Sequence, residues 1–262
     1  DSLDRIKTTN QTLNPGKKES VMRSVLIILA CLLLGSPSLA GANENRFQQF
    51  NDDVDQAYAF YRQALFQTNK KDAEKSTKAN DKFLAQWQIL IAHYNSQPPE
   101  VFGSDSEWQS TLSNIEKIAV ESAAQIKEGQ LAEAHETLEA IRDELTELRR
   151  RNSVIVFSDH INNYHEVMEG LLIGGYSPDK IDEQATEDVV GQLAVLSYLA
   201  EAIKKNAPAE YKENQKYQQL EKGLFGSLKA LEEAIDKGNP ESISKSINNL
   251  KPAYAKLFVN FG

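Results

Sequence analysis

Apolar residues recur along this chain every three or four positions, and the strict alternation expected of strands is missing. A first stripe runs through Phe47, Phe50, Val54, Tyr58, Tyr61 and Leu65 and stops at Thr68-Asn69. A second runs through Ala79, Phe83, Trp87, Leu90 and Tyr94 and is stopped by Gln97-Pro98-Pro99. Ser104 with Glu107 three residues on reads as a capping box for the third, which carries Trp108, Leu112, Ile115, Ala119 and Ile126. Gly129 closes it as the residue beyond the C-cap. The fourth helix carries Leu131, Ala134, Leu138, Ile141, Leu145 and Leu148.

The same succession then returns. Ile161, Tyr164, Met168 and Leu171 lead to Gly174-Gly175, and Ser177-Pro178 reads as an N-cap and first helical residue before Val189, Leu193, Leu196 and Leu199. Tyr217, Leu224, Leu228 and Ile235 end at Gly238, and Asn239-Pro240 opens a last helix with Ile243, Ile247, Leu250, Tyr254 and Leu257. From Pro98 onward the correspondence is ungapped at an offset of 109 residues: Pro99 falls on Pro208, Trp108 on Tyr217, Gly129 on Gly238 and Leu148 on Leu257. Core and turn positions coincide while polar positions have drifted, the mark of a duplicated structural unit. The prediction is an all-α fold, a tandem duplication of an antiparallel helical unit. About eight helices form two four-helix bundles or one helical array, with 43–152 as the first repeat and 153–262 as the second.

One junction can be read in two ways. No Gly or Pro lies between Leu131 and Glu169, so helices four and five could form a single rod. The repeat ends near Asn152, however, and Asn152-Ser153 and Ser158-Asp159 can both cap, which favours a turn; the apolar stretch Val154–Phe157 suits a buried connection.

The N-terminal part has a different character. Met22-Arg23, the apolar run Val25–Leu34 and the small residues Ala40-Gly41-Ala42 follow the three-part plan of a secretory signal peptide over 22–42. The apolar run is too short for a permanent membrane anchor, and 1–21 read as an upstream extension translated in frame. The expectation is an exported, periplasmic protein beginning at Asn43. That form has no cysteine, which excludes thiolate metal sites and covalent haem. It holds 24 Lys and Arg against 35 Asp and Glu, a balance of −11 that argues against nucleic acid and anionic membrane as partners.

The candidate chemistry lies between His135 and Glu169. His135/Glu139 and His165/Glu169 are both i,i+4 pairs, so each can present imidazole and carboxylate from one helix face. If the chain turns near Ser153, residue 142 faces 165 and the two pairs come within about a turn of each other. Two imidazoles and two carboxylates suit a divalent Cu, Zn, Fe or Mn ion without selecting among them. Asp159 and His160 are second-shell or alternative ligands. The blander account makes each pair an ordinary helix-surface contact, with Arg142 neutralising Glu139. Met168, on an apolar stripe, reads as packing, and Arg149-Arg150-Arg151 as a solvated cluster complementing a helix C-terminus. Glu-x-x-His, His-Glu-x-x-His, phosphate-loop and Gly-x-Ser-x-Gly signatures are missing, so binding is expected rather than catalysis. The expected function is binding of a divalent metal between helices four and five. The alternative is a metal-free helical module that docks a partner protein of the cell envelope.

Overall fold

The computed structural model describes residues 39–262, with side chains from Asn45 onward. The expected extension 1–21 and most of the expected signal segment therefore lie outside the described residues. Those described contain no strand and eight helices of two turns or more: α1 (Leu39–Asn69), α2 (Ala73–Tyr94), α3 (Trp108–Lys127), α4 (Leu131–Arg151), α5 (Phe157–Ile173), α6 (Glu183–Asn206), α7 (Gln215–Asp236) and α8 (Pro240–Phe261). One turn of 3-10 helix at Glu100–Phe102 precedes α3, another at Pro178–Lys180 precedes α6, and a single helical turn at Ala209–Lys212 precedes α7.

The stripes read from the sequence are the buried faces. Tyr61, Phe83, Trp87, Leu112, Ile115, Leu138, Ile141, Tyr164, Met168 and Tyr217 are all fully enclosed, and they belong to one continuous apolar cluster. In the second half α5 packs on α6, α6 on α7, α7 on α8, and α8 returns to α5, so the four helices close on themselves. In the first half α2 packs on α3 and α3 on α4. There α1 meets α2 through Phe50–Tyr94 and Tyr61–Phe83 and α4 through Leu65 and His135. The halves join where α1 meets α8 at Tyr58–Phe258.

The duplicated punctuation has a duplicated geometry. Gly129 has φ +78° and Gly238 φ +61°, a left-handed conformation that costs glycine least. Each ends one helix and lets the next run back along it. Asn239 caps α8 through its side chain, which accepts from the Ser242 amide, and Pro240 occupies the first helical position. Pro252 sits inside α8, which continues past it.

Several local expectations are corrected. Ser104 and Glu107 do not form a capping box, because α3 starts only at Trp108 and Glu107 makes no side-chain cap bond. The preceding turn is held instead by Asp105, whose carboxylate accepts from the Glu107 amide, from Arg151 and from Asn152. Ser177-Pro178 opens the short 3-10 turn rather than α6. The backbone leaves helical geometry at Ile181, which is buried, and Asp182 then caps α6 by accepting from the Ala185 amide.

The arginine cluster is likewise not a solvated patch. Arg149 is buried and its Nη1 donates to Asp159 Oδ1 at 2.7 Å and to Ser158 at 3.1 Å. Arg151 reaches Asp105 at 2.9 Å, and only Arg150 is exposed. Helices four and five are two helices: Ser153 turns the chain with φ +57°, Val154 is buried, and Ile155 points outward, 74 % exposed. Asp159 fastens the turn from both sides, because its other oxygen accepts from the Val156 amide at 2.9 Å.

This arrangement separates the three arginines by their expected energetic weight. Removing one partner of a buried ion pair costs about 3–5 kcal/mol, since the other charge is left buried and unpaired. Asp159→Ala should therefore lower the unfolding free energy in urea by an amount in that range. Arg150→Ala should change it by less than about 0.5 kcal/mol. Equal effects would show that the turn does not depend on this pair.

Candidate metal centre

The turn at Ser153 lets α4 and α5 reach one pocket, where His135, Glu139 and His165 line a space closed by α1 and α8, and Glu169 stands just outside the lining, beside His165. Its lining includes His135, Glu139 and Arg142 from α4, His165 from α5, Leu65 and Phe66 from α1, and Lys251, Tyr254 and Phe258 from α8. The cavity is small, about 50 Å³. A water molecule's share of liquid volume is about 30 Å³, so the space suits an ion with a water rather than an organic cofactor.

His135 is held by the end of α1. Its Nδ1 lies 3.1 Å from the Leu65 carbonyl oxygen and 3.0 Å from Thr68 Oγ1. The Thr68 hydroxyl has its own proton engaged with the carbonyls of Ala64 and Leu65. Both neighbours therefore accept from the ring, which assigns the proton to Nδ1 and leaves the lone pair on Nε2. That Nε2 stands 3.7 Å from Glu139 Oε1. A backbone carbonyl fixing the far nitrogen of an imidazole is the usual support behind a metal-ligating histidine.

His165 is the more buried of the two, its side chain 12 % exposed. Burial pushes its pKa down from the ordinary 6.5 to about 3, helped by the positive charges of Arg142 and Lys251 and by the neighbouring His135. The ring is thus neutral across the physiological range. Its Nε2 lies 3.8 Å from Glu169 Oε2, a buried carboxylate oxygen without a hydrogen-bond partner. The Tyr254 ring packs beside it at a centroid distance of 5.1 Å.

Two cations share this space. Arg142 Nη2 is 3.4 Å from Glu139 Oε1, and Lys251 Nζ is 3.6 Å from Glu169 Oε1. Burial disfavours the Arg142 charge, but Tyr61, Tyr254, Tyr58 and Glu139 around it hold its pKa above the ordinary value. Each carboxylate thus has an imidazole on one side and a cation on the other. Among the described residues, no group of three or more His, Cys, Asp or Glu side chains stands gathered as a metal-binding set. The structure brings His135, Glu139, His165 and Glu169 to one region as two pairs, with Arg142 and Lys251 among them.

Asp159 and His160 are not part of this grouping. The Asp159 carboxylate is taken up by Arg149 and the Val156 amide. His160 is five residues before His165, about 140° round the helix at 100° per residue. It lines a separate groove with Tyr198 and Lys205. His93 is exposed beside Tyr94, and Met168 is buried packing.

Sequence reasoning missed the contributions of Leu65, Thr68 and Lys251. The first two come from the far end of α1 and carry no local signal. Lys251 was within reach, because it stands 109 residues after Arg142, at the equivalent repeat position. The two cations of the pocket occupy equivalent positions at the 109-residue offset, each paired with a different glutamate. Compared with family models, curated proteins and solved structures, the chain matches none.

The suppressed ionisation of His165 has a thermodynamic consequence. Unfolded, the ring binds a proton below 6.5; folded, only below about 3. Between those values the unfolded state holds the extra proton, so stability falls as pH is lowered, by up to about tenfold in the folding equilibrium per pH unit. His165→Phe should flatten the urea midpoint between pH 6 and pH 4 relative to the parent, a range inside the window from 6.5 to about 3 set by those values. An unchanged slope would mean that other groups govern the acid limb.

Proposed function

We propose that the protein is exported to the periplasm and binds a divalent transition metal, Cu, Zn, Fe or Mn, in the pocket between α4 and α5, for carriage, sensing or buffering. It is read as a binding protein rather than an enzyme. His135 and His165 supply nitrogen, Glu139 and Glu169 oxygen. The observation that carries this reading is the buried, unpartnered Oε2 of Glu169, 3.8 Å from the Nε2 of a histidine kept neutral by burial. Two ligands on one ion at bonds of about 2.0–2.2 Å lie roughly 3–4 Å apart. An ion between these atoms would give the stranded oxygen a partner and use a lone pair that no proton competes for above pH 4 or so.

Metal entry has a cost that this arrangement makes explicit. Arg142 and Lys251 must release Glu139 and Glu169, so ion and side-chain cations compete for the same carboxylates. Arg142 is the stronger competitor because it is buried, whereas Lys251 is half-exposed and can swing to solvent. The pair His165/Glu169 is therefore the entry point, and His135/Glu139 joins once Arg142 moves.

The test is thermal unfolding of metal-stripped protein with added Cu(II), Zn(II) or Mn(II). A metal that binds only the folded state stabilises it by about 2.7 kcal/mol at a hundred times its Kd, and the midpoint should rise with concentration for at least one ion. His165→Ala and Glu169→Gln should each remove that rise, His93→Ala should leave it, and Lys251→Gln should increase affinity several-fold. A melting curve indifferent to every metal would overturn the reading.

A further inference from the structure

Helix α6 carries an exposed apolar ridge where its counterpart in the first half has a mixed face. Val190 is 47 % exposed, Val195 45 % and Tyr198 74 %, and Gly191 and Ala194 between them are also exposed. Positions 190, 194 and 198 are four residues apart and 191, 195 and 198 three or four, so all lie on one face of the helix. At the repeat offset the corresponding residues of α2 are Asp81, Lys82, Ala85, Gln86 and Ile89, a largely exposed helix face of mixed polarity with Gln86 half-buried. Val190 and Val195 are apolar where α2 has Asp81 and Gln86, Tyr198 is exposed like its counterpart Ile89, and among the described residues about half of Val190 and most of Tyr198 stay uncovered. Gly191 belongs to the same ridge: a methyl group there would meet nothing within 4 Å, so the monomer gives no reason for a residue that weakens a helix interior.

The ridge stands between two grooves. One, of about 880 Å³, runs along the side facing α5 and α7 past Asn163, Ala202 and Lys205. The other, of about 340 Å³, is floored by Leu193, Phe225 and Leu228. A ridge beside a groove on one molecule is complementary to the same ridge and groove on a copy turned by a twofold axis. The charges along α6 follow the same rule. Asp182, Glu183, Glu187 and Asp188 mark its N-terminal end, and Lys204 and Lys205 its C-terminal end, where Lys212 also lies with its Nζ on the Lys205 carbonyl. Two α6 helices side by side in the same direction would set acid against acid and base against base. Antiparallel, they set Glu183 opposite Lys205 and Val190 opposite Tyr198, with Ala194 at the axis.

We propose that this face is a homodimer interface in which α6 packs antiparallel against α6 of a second copy of the chain. The small residues Gly191 and Ala194 allow close approach at the crossing, the two grooves receive Tyr198 and its neighbours, and each charge contact occurs twice by symmetry. A specific interface buries on the order of 1,000 Å² in all. A 24-residue helix is about 36 Å long at ~1.5 Å per residue, so the contact reaches that size only with the groove walls included. The dimer is accordingly a weak one, with dissociation in the micromolar range.

Sedimentation equilibrium of the chain over a wide micromolar range should show reversible monomer–dimer association. Ala194→Arg, at an exposed helical site where folding is checked by circular dichroism, should leave only monomer. Reversing the acidic end with Glu183→Lys, Glu187→Lys and Asp188→Lys should weaken association at least tenfold, and adding Lys204→Glu and Lys205→Glu to the same chain should restore it. Separately, Ala194→Cys in a Cys31→Ser background should form a disulfide between its own copies under mild oxidation. A monomer at all concentrations, association that survives Ala194→Arg, or a charge reversal that the compensating reversal fails to rescue would each overturn the proposal.

Discussion

The ion pair between Arg149 and Asp159 joins the last turn of one helix to the first turn of the next, across a five-residue turn that contains neither glycine nor proline. A chain with helical residues on both sides of Ser153 could continue as a rod, and the left-handed Ser153 is an unfavourable conformation for a residue with a side chain. What holds the turn closed is a guanidinium and a carboxylate taken out of water together, the carboxylate also accepting from the Val156 amide. Everything of functional interest depends on this fold-back, because His135 and His165 would lie about 45 Å apart on a continuous helix at ~1.5 Å rise per residue. Folded, they line the same pocket.

The duplication explains both the regularity of the scaffold and the irregularity of its chemistry. Core and turn positions answer to packing, so both copies retained apolar stripes and left-handed glycines. Polar positions differ between the halves, and Arg142 and Lys251, at equivalent positions, both line one pocket. Their charges, added to burial, suppress the protonation of His165. The asymmetry extends to the surface, where α6 carries Val190 and Val195 at positions occupied in α2 by Asp81 and Gln86.

Most of the fold could be read from the residues, because helical periodicity and paired turn glycines are local signals repeated twice. What escaped were features set by distant partners. Asp105 does the capping expected of Ser104 because Arg151 and Asn152, nearly fifty residues away in the chain, hold it in place. Two of three consecutive arginines are drawn inward by ion pairs with carboxylates outside their own helix, which composition alone reads as a solvated patch. In the candidate site, the i,i+4 spacing picks out the His/Glu pairs, and an assumed turn near Ser153 puts 142 and 165 near each other; both line one pocket. The cations that compete for the carboxylates depend on the third dimension, as does the α1 carbonyl that sets the His135 tautomer. Asp159 and His160 were grouped with the site by proximity in sequence, whereas helix rotation and a buried arginine assign them elsewhere.

The central claim is that the pocket between α4 and α5 presents two imidazoles to one ion. Electron paramagnetic resonance of the protein with one equivalent of Cu(II) tests it directly, since nitrogen hyperfine structure reports the number of coordinated imidazoles. The account predicts a single bound species with two nitrogen donors, reduced to one by His135→Ala and to none at this site when His165→Ala is added. A spectrum of aqueous Cu(II), or a two-nitrogen spectrum unaltered by both substitutions, would contradict it.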